Sequence, residues 1–219
     1  GTLTLLPSTS DRPVPLLSDE KPGGGHAIVS DQSSCPFRAF SKHRLAAKPL
    51  ESFHNGLDYR ARGIAVHRVM ERLFNKTKTQ RELLSLTPQS MQQLVEQCSM
   101  DALDYLVRRY PEQMTPRFRQ IEQQRLVALV TEYLELERQR PDFTVIATER
   151  QLDWQQDAFG LTVKIDRIDR LPDGSLAIID YKTGKSAAVP ADLQADRPED
   201  MQLPVYVCAG TDLLDGPVQ

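Results

Sequence analysis

Apolar positions recur at helical spacing through the first two thirds of the chain and give way to β-branched alternation in the last third. Over residues 63–74, Val66, Val69, Met70, Leu73 and Phe74 mark one face of a helix. A second stripe, which includes Met91, Val95, Cys98, Ala102 and Leu106, predicts a helix over about 88–110 with Thr87 as its cap. A third begins near Thr115, with Pro116 in its first turn, and stops before Pro141; Phe118, Ile121, Arg125, Leu129 and Tyr133 share one of its faces. A short helix is expected within 33–50. Strands are predicted over 144–152, 161–171 and 175–183, and a further helix over 192–209. Helices, then three strands, then a helix indicate an α+β or α/β sandwich.

Residues 1–29 are rich in Pro, Gly and Ser, including Gly23-Gly24-Gly25, and read as a flexible arm or linker ahead of one domain over 30–219. The chain opens on Gly1 rather than Met, which predicts a longer parent polypeptide. Apolar residues make up 40% and charged residues 26%, an ordinary globular composition. The net charge of -3 gives no global attraction to nucleic acid, so such a reading rests on local clusters. No run approaches the roughly 20 apolar residues that a bilayer span needs. Cys35, Cys98 and Cys208 are too far apart for a paired metal clip or a disulfide framework, and the expected setting is reducing and cytoplasmic.

The string Leu171-Pro172-Asp173-Gly174-Ser175 suits a three-residue hairpin loop, a type I turn opened by Pro172 and closed by a left-handed Gly174. That loop sets Leu171 against Ser175, hence Asp166 opposite Asp180 and Lys164 opposite Lys182. Alternation puts Asp180 and Lys182 on one face, roughly 7 Å apart, and the cross-strand partner Asp166 joins them. Asp169 falls on the other side with Arg167 and Tyr181. A one-residue slip would reverse the assignment.

Two facing carboxylates destabilise each other unless a cation lies between them or one keeps its proton. Their hard oxygens suit Mg²⁺ or Mn²⁺ better than zinc. A lysine alongside holds an attacking water or offsets charge on a phosphate, the minimum apparatus for metal-assisted phosphodiester hydrolysis. Taken alone, an Asp-x-Lys triplet is more often just a solvated hairpin face. The apolar flank Ala177-Ile178-Ile179 argues instead for a central strand whose charged end sits at a cleft.

Lys164-Ile165-Asp166-Arg167-Ile168-Asp169 followed by Ile179-Asp180-Tyr181-Lys182-Thr183-Gly184 resembles the PD-(D/E)xK nuclease superfamily, and within it the RecB/AddB-type branch found in bacterial helicase-like DNA repair proteins. Gly63-Ile64-Ala65-Val66-His67 is similar to the G-x-x-x-H helix of that branch. Gln202-Leu203-Pro204-Val205-Tyr206 is similar to its Q-x-x-x-Y helix, and Ser34-Cys35-Pro36-Phe37 to its C-P-x-x-F segment. The resemblance spans about residues 30–210. It implies a restriction-endonuclease-like fold: a central mixed sheet flanked by helices, with a large helical insertion over about 76–140. The family core also has a strand after the last helix, which is expected either to be missing from this piece or to be supplied differently.

By the same resemblance Asp166, Asp180 and the Tyr181 backbone carbonyl bind metal, His67 completes the site, and Lys182 is catalytic. Glu149 matches an acidic position common in the family and is a weaker candidate, with Gln202 and Tyr206 as accessories. Only Cys208 follows the Q-x-x-x-Y motif where iron–sulfur members carry three cysteines, so no cluster is expected. On the residues alone, His67 also suits a buried hydrogen-bonded core imidazole, because it shares a face with Met70 and Phe74. Gln202 and Tyr206, four apart, suit either a helix–sheet contact or the orientation of Lys182 or a phosphate. Arg60, Arg62, Arg68, Lys164, Arg167 and Lys185 are candidates for a cleft rim. Trp154 and Phe159 suit packing better than stacking on bases.

The expected activity is Mg²⁺- or Mn²⁺-dependent DNA cleavage, exonucleolytic on single-stranded or unwound ends, in repair or recombination. Its partners would be DNA and a helicase, as the remainder of the parent chain or as a separate protein. Two other classes stay open at this point. One is a degenerate nuclease that only binds DNA ends within a larger helicase–nuclease assembly. The other is a protein-interaction module whose charges are surface decoration.

Overall fold

A computed structural model describes residues 23–48, 56–156, 159–184 and 196–218. Its elements are α1 (His26–Ser34), α2 (Pro36–Ala39), a short π-helix (Phe40–Arg44), α3 (Tyr59–Lys76), α4 (Gln80–Ser85), α5 (Pro88–Arg109), α6 (Pro116–Gln139), β1 (Thr144–Gln156), β2 (Phe159–Arg170), β3 (Leu176–Ile179) and α7 (Gln202–Leu213). The long helices start where expected, and for local reasons. Asp58, Thr87 and Thr115 each accept a backbone N–H of the first turn, and Pro88 and Pro116 open α5 and α6 without losing a hydrogen bond.

The three strands form an antiparallel sheet in the order β1-β2-β3. Beside β3, Val218 makes an isolated parallel bridge to Leu176, whose N–H donates to the Pro217 carbonyl at 2.7 Å. Among the described residues the sheet is antiparallel, with this one parallel bridge at its β3 edge. One face packs on α3, which packs in turn on α5 and α6; the other carries α1 and α7. Met70, Leu73, Phe74, Leu103, Leu126 and Leu134 are buried on the α3 side, and Val163, Ile165, Ile168, Val205 and Ala209 on the α7 side.

The hairpin has the expected register. Arg167 pairs with Ile179, Ile168 with Ile178 and Asp169 with Ala177. Leu171 N–H donates to the Ser175 carbonyl at 2.8 Å, and Gly174 takes φ +88°. Asp173 Oδ1 accepts from both the N–H and the hydroxyl of Ser175, which fastens the turn.

Some boundaries differ from expectation. Helix α1 begins at His26, so the last residues of the expected arm are helical, and Ile28 and Val29 pack beneath the sheet. Residues 1–22 lie outside the described part. The last described helix starts at Gln202, and 196–201 before it follow an irregular path; the first part of the expected helix, 192–195, lies outside the described residues. Helix α4 is an additional element, closed by a capping box in which Thr79 and Glu82 satisfy each other's backbone N–H groups. Trp154 and Phe159 pack on the α7-side core, and Trp154 donates to Asp212 at 2.6 Å.

Candidate metal and active site

The site forms where β1 and β2 change phase together. Leu161, Val163 and Ile165 face α7 at alternate positions, and the next residue on that side is Ile168. On β1 the same slip separates Leu152 from Ala147, and between them Glu149 adopts φ +49°. A non-glycine residue in that left-handed region is strained, and such strain gathers at functional sites. The slip delivers Glu149 and Asp166, on neighbouring strands, to one point beneath α3.

His67, on the third turn of α3, reaches the same point. Its Nδ1 lies 3.2 Å from Asp166 Oδ1 and 3.8 Å from Glu149 Oε1. Ligand atoms of His67, Glu149 and Asp166 all fall within 4.8 Å of one another. His67 Nε2 points the other way and donates to the Tyr181 carbonyl at 3.0 Å. Burial disfavours a charged imidazole, but hydrogen bonds to Asp166 and Glu149 outweigh it and push the His67 pKa up to about 10. Without an ion, then, an imidazolium proton supplies the positive charge that two carboxylates demand. Glu149 is further held by Lys164, and its carboxyl lies below the usual range: burial opposes that shift, and His67 and Lys164 outweigh it.

Asp180 and Lys182 follow β3 directly. Asp180 turns one oxygen to Gln202 Nε2, while Lys182 Nζ stands 3.0 Å from the other, Oδ2. The ammonium is out of hydrogen-bond alignment, and among the described residues the buried Oδ2 has no aligned donor. Burial, then the nearby charge of Asp166, raises the Asp180 pKa. Lys182 also meets Gln202 Oε1 and lies 3.4 Å from Asp200. Burial works against its ammonium form, but Asp180 and Asp200 prevail and raise its pKa. Gln202 Nε2 reaches the Tyr206 hydroxyl at 2.9 Å, so both accessory residues touch the site through one helix face.

The candidates thus separate into two adjoining groups. His67, Asp166 and Glu149 come together, with the Tyr181 carbonyl across the imidazole from them and Glu149 more central than the sequence indicated. Asp180, Lys182, Gln202 and Tyr206 form the second group. Of the expected rim, Arg167 is instead fully buried: it stacks 3.7 Å above the Phe74 ring centroid and binds Asp169 and Glu137. Alternation places it with Asp169 on the α3 side, where those carboxylates neutralise it. Arg62 pairs with Glu122, Arg68 stacks on Tyr105, Arg60 is exposed, and Lys185 lies outside the described residues. His26, assigned by sequence to the arm, packs edge-on against Tyr206 at 5.7 Å, a contact no local motif announces.

Carboxylate oxygens and a single imidazole make a set suited to a hard divalent cation. Acidic groups gathered with an ammonium alongside are the residue types that metal-assisted hydrolysis uses. The sequence profile of the PD-(D/E)XK nuclease superfamily matches residues 28–217, and the chain belongs to that superfamily. No curated protein matches it at a significant level. Among the described residues no helix is long and apolar enough to cross a membrane.

Proposed function

We propose that this chain is a Mg²⁺- or Mn²⁺-dependent deoxyribonuclease acting on single-stranded or unwound DNA ends, exonucleolytically, in repair or recombination. It would work in the cytoplasm beside a helicase, either the remainder of its own polypeptide or a partner. The observation that carries the reading is the convergence of His67, Glu149 and Asp166 within 4.8 Å, with Lys182 on the neighbouring Asp180.

His67 Nδ1, Asp166 and Glu149 would hold the ion, and Asp180 would complete the set through Oδ2, the oxygen that Lys182 now pairs; the Tyr181 carbonyl accepts from His67 Nε2 and orients the ring. A bound ion there supplies Lewis acidity to the scissile phosphate and lowers the pKa of water. Lys182, kept protonated by Asp180 and Asp200, places a positive charge where negative charge grows on the phosphate. Gln202 holds that lysine and Asp180 at once and so fixes their separation.

The test is cleavage of labelled single-stranded DNA with Mg²⁺ or Mn²⁺. Asp180→Ala and Lys182→Ala should each abolish cutting while melting as cooperatively as the parent. If both variants cut like the parent, the site is misassigned.

A further inference from the structure

A second opening adjoins the acidic cluster. On the far side of the Gly63–Thr183 contact, the start of α3, the middle of α6 and the end of β3 enclose a cavity of about 430 Å³. Val66, Met70, Leu129, Val130 and Tyr133 make its apolar walls, and Asp180 and Lys182 form the edge it shares with the site above.

Its polar corner is unusual in charge. Arg62 Nη2 and Arg125 Nε both bind the buried carboxylate of Glu122, at 2.7 and 2.8 Å. One carboxylate against two guanidiniums leaves the corner positive. Arg125 Nη2 is shielded from solvent and has no acceptor among the described residues. Buried donors are almost always paired, so this corner carries more donors than acceptors. Leu129, at the mouth, is 41% exposed.

We infer that this cavity receives an unpaired nucleobase of the strand whose backbone lies at the acidic cluster; the inference rests on the nuclease reading. Apolar walls with a few placed polar groups are how pockets take flat heterocycles. The guanidinium N–H groups of Arg62 and Arg125 on its lining match the ring carbonyl oxygen of thymine, cytosine or guanine. The positive corner suits a polyanionic strand, and the shared edge at Asp180 and Lys182 puts the base next to the phosphate being cut. A base in a duplex is stacked and paired and cannot enter, so the cavity selects unpaired strands.

The test measures binding apart from cutting. With Ca²⁺ in place of Mg²⁺, the full chain is titrated by fluorescence anisotropy against a labelled oligothymidylate of about twelve residues, and against an abasic strand of the same length. The thymidine strand should bind about tenfold tighter or more. Leu129→Trp, which fills the mouth, should reduce its affinity to that of the abasic strand and leave abasic binding unchanged. Arg125→Gln should do the same in part, with Glu122 still held by Arg62. Equal affinities for the two strands, a Leu129→Trp variant that binds as the parent does, or no binding of either strand overturns the proposal. Cleavage with Mg²⁺ is scored separately. A protein that prefers the base but does not cut keeps the pocket and loses the nuclease reading; one that cuts without preferring it does the reverse.

Discussion

Tyr181 donates its backbone N–H to Oδ2 of Asp166 at 2.8 Å, so the residue that follows Asp180 is tied to the strand opposite. The same peptide chain then offers its carbonyl to His67. Asp166 therefore has two jobs: one oxygen faces the imidazole, and the other sets where β3 delivers Asp180 and Lys182.

Replacing Asp166 separates those jobs. Asparagine keeps an acceptor for the Tyr181 N–H but loses the charge; alanine loses both. Asp166→Asn is expected to unfold within about 1 kcal/mol of the parent, and Asp166→Ala about 1–3 kcal/mol below it, because a buried N–H is left unpaired. Both should lose Mn²⁺ binding and at least about a hundredfold in cleavage. Urea titration beside calorimetric Mn²⁺ titration checks this; an Asn variant that still binds Mn²⁺ tightly removes Asp166 from the ligand set.

The pH dependence follows from His67. Its pKa rises from the ordinary 6.5 to about 10 in the folded, metal-free protein. A raised folded-state pKa gives stability that is fully present below the unfolded value and is lost as pH climbs through the folded one. In EDTA, the thermal midpoint of the parent should accordingly fall toward that of His67→Asn between about pH 7 and 10. Mn²⁺ binding must displace the imidazolium proton, so its affinity should climb over the same interval. Proton release on Mn²⁺ binding, measured in two buffers of different ionisation enthalpy, checks this; binding without release removes the imidazolium.

Much of this arrangement was legible in the sequence, because turn chemistry is local. Pro172, Asp173 and Gly174 dictate the loop, and the loop dictates the register, which sends Asp169 and Arg167 behind the sheet; the pairing stops at Ile179, and past it the Tyr181 N–H bonds Asp166 while Asp180 and Lys182 turn to Gln202. Glu149 was harder to see, since its position depends on a left-handed residue within a strand, which no alternation rule anticipates. Nor does a single stripe on α6 reveal that Glu137 would meet Arg167, thirty positions on, or that Glu122 would hold an arginine from α3. Helix α4 did carry a readable signal, the Thr79–Glu82 capping box. Ion pairs across elements depend on packing that only the assembled chain defines.

The buried network behind the site makes a stability prediction. Arg167 and Asp169 are fully buried, Glu137 nearly so, and Arg140 reaches both carboxylates. Arg167 also lies 3.5 Å from the Tyr181 hydroxyl, which links the network to the peptide that serves His67. Arg167→Met leaves two buried carboxylates short of a partner and should cost about 3–5 kcal/mol. Asp169→Asn added to it should recover part of that loss, because one stranded charge is removed. Urea unfolding of the single and double variants decides it; a double variant no more stable than Arg167→Met would show that lost packing on Phe74, not stranded charge, is what the single change costs.

Gln202 makes the finest distinction between structure and catalysis. Its amide nitrogen binds Asp180 and Tyr206 while its oxygen meets Lys182, and it sits on the first turn of α7, whose packing is carried by Val205, Tyr206 and Ala209. The amide thus aligns the carboxylate and the ammonium without supporting the core. Gln202→Leu should leave the melting midpoint close to the parent's but reduce cleavage about 10- to 100-fold, the usual penalty for losing a group that orients ligands. Gln202→Glu brings a third carboxylate to Asp180 and Asp200; it should bind Lys182 more tightly and repel Asp180, so cleavage falls at neutral pH and partly recovers as the new carboxyl protonates. Cleavage rates across pH 5–8 under saturating Mn²⁺ separate the two variants: a rate for Gln202→Leu equal to the parent's would make the Gln–Tyr pair a helix–sheet contact and nothing more.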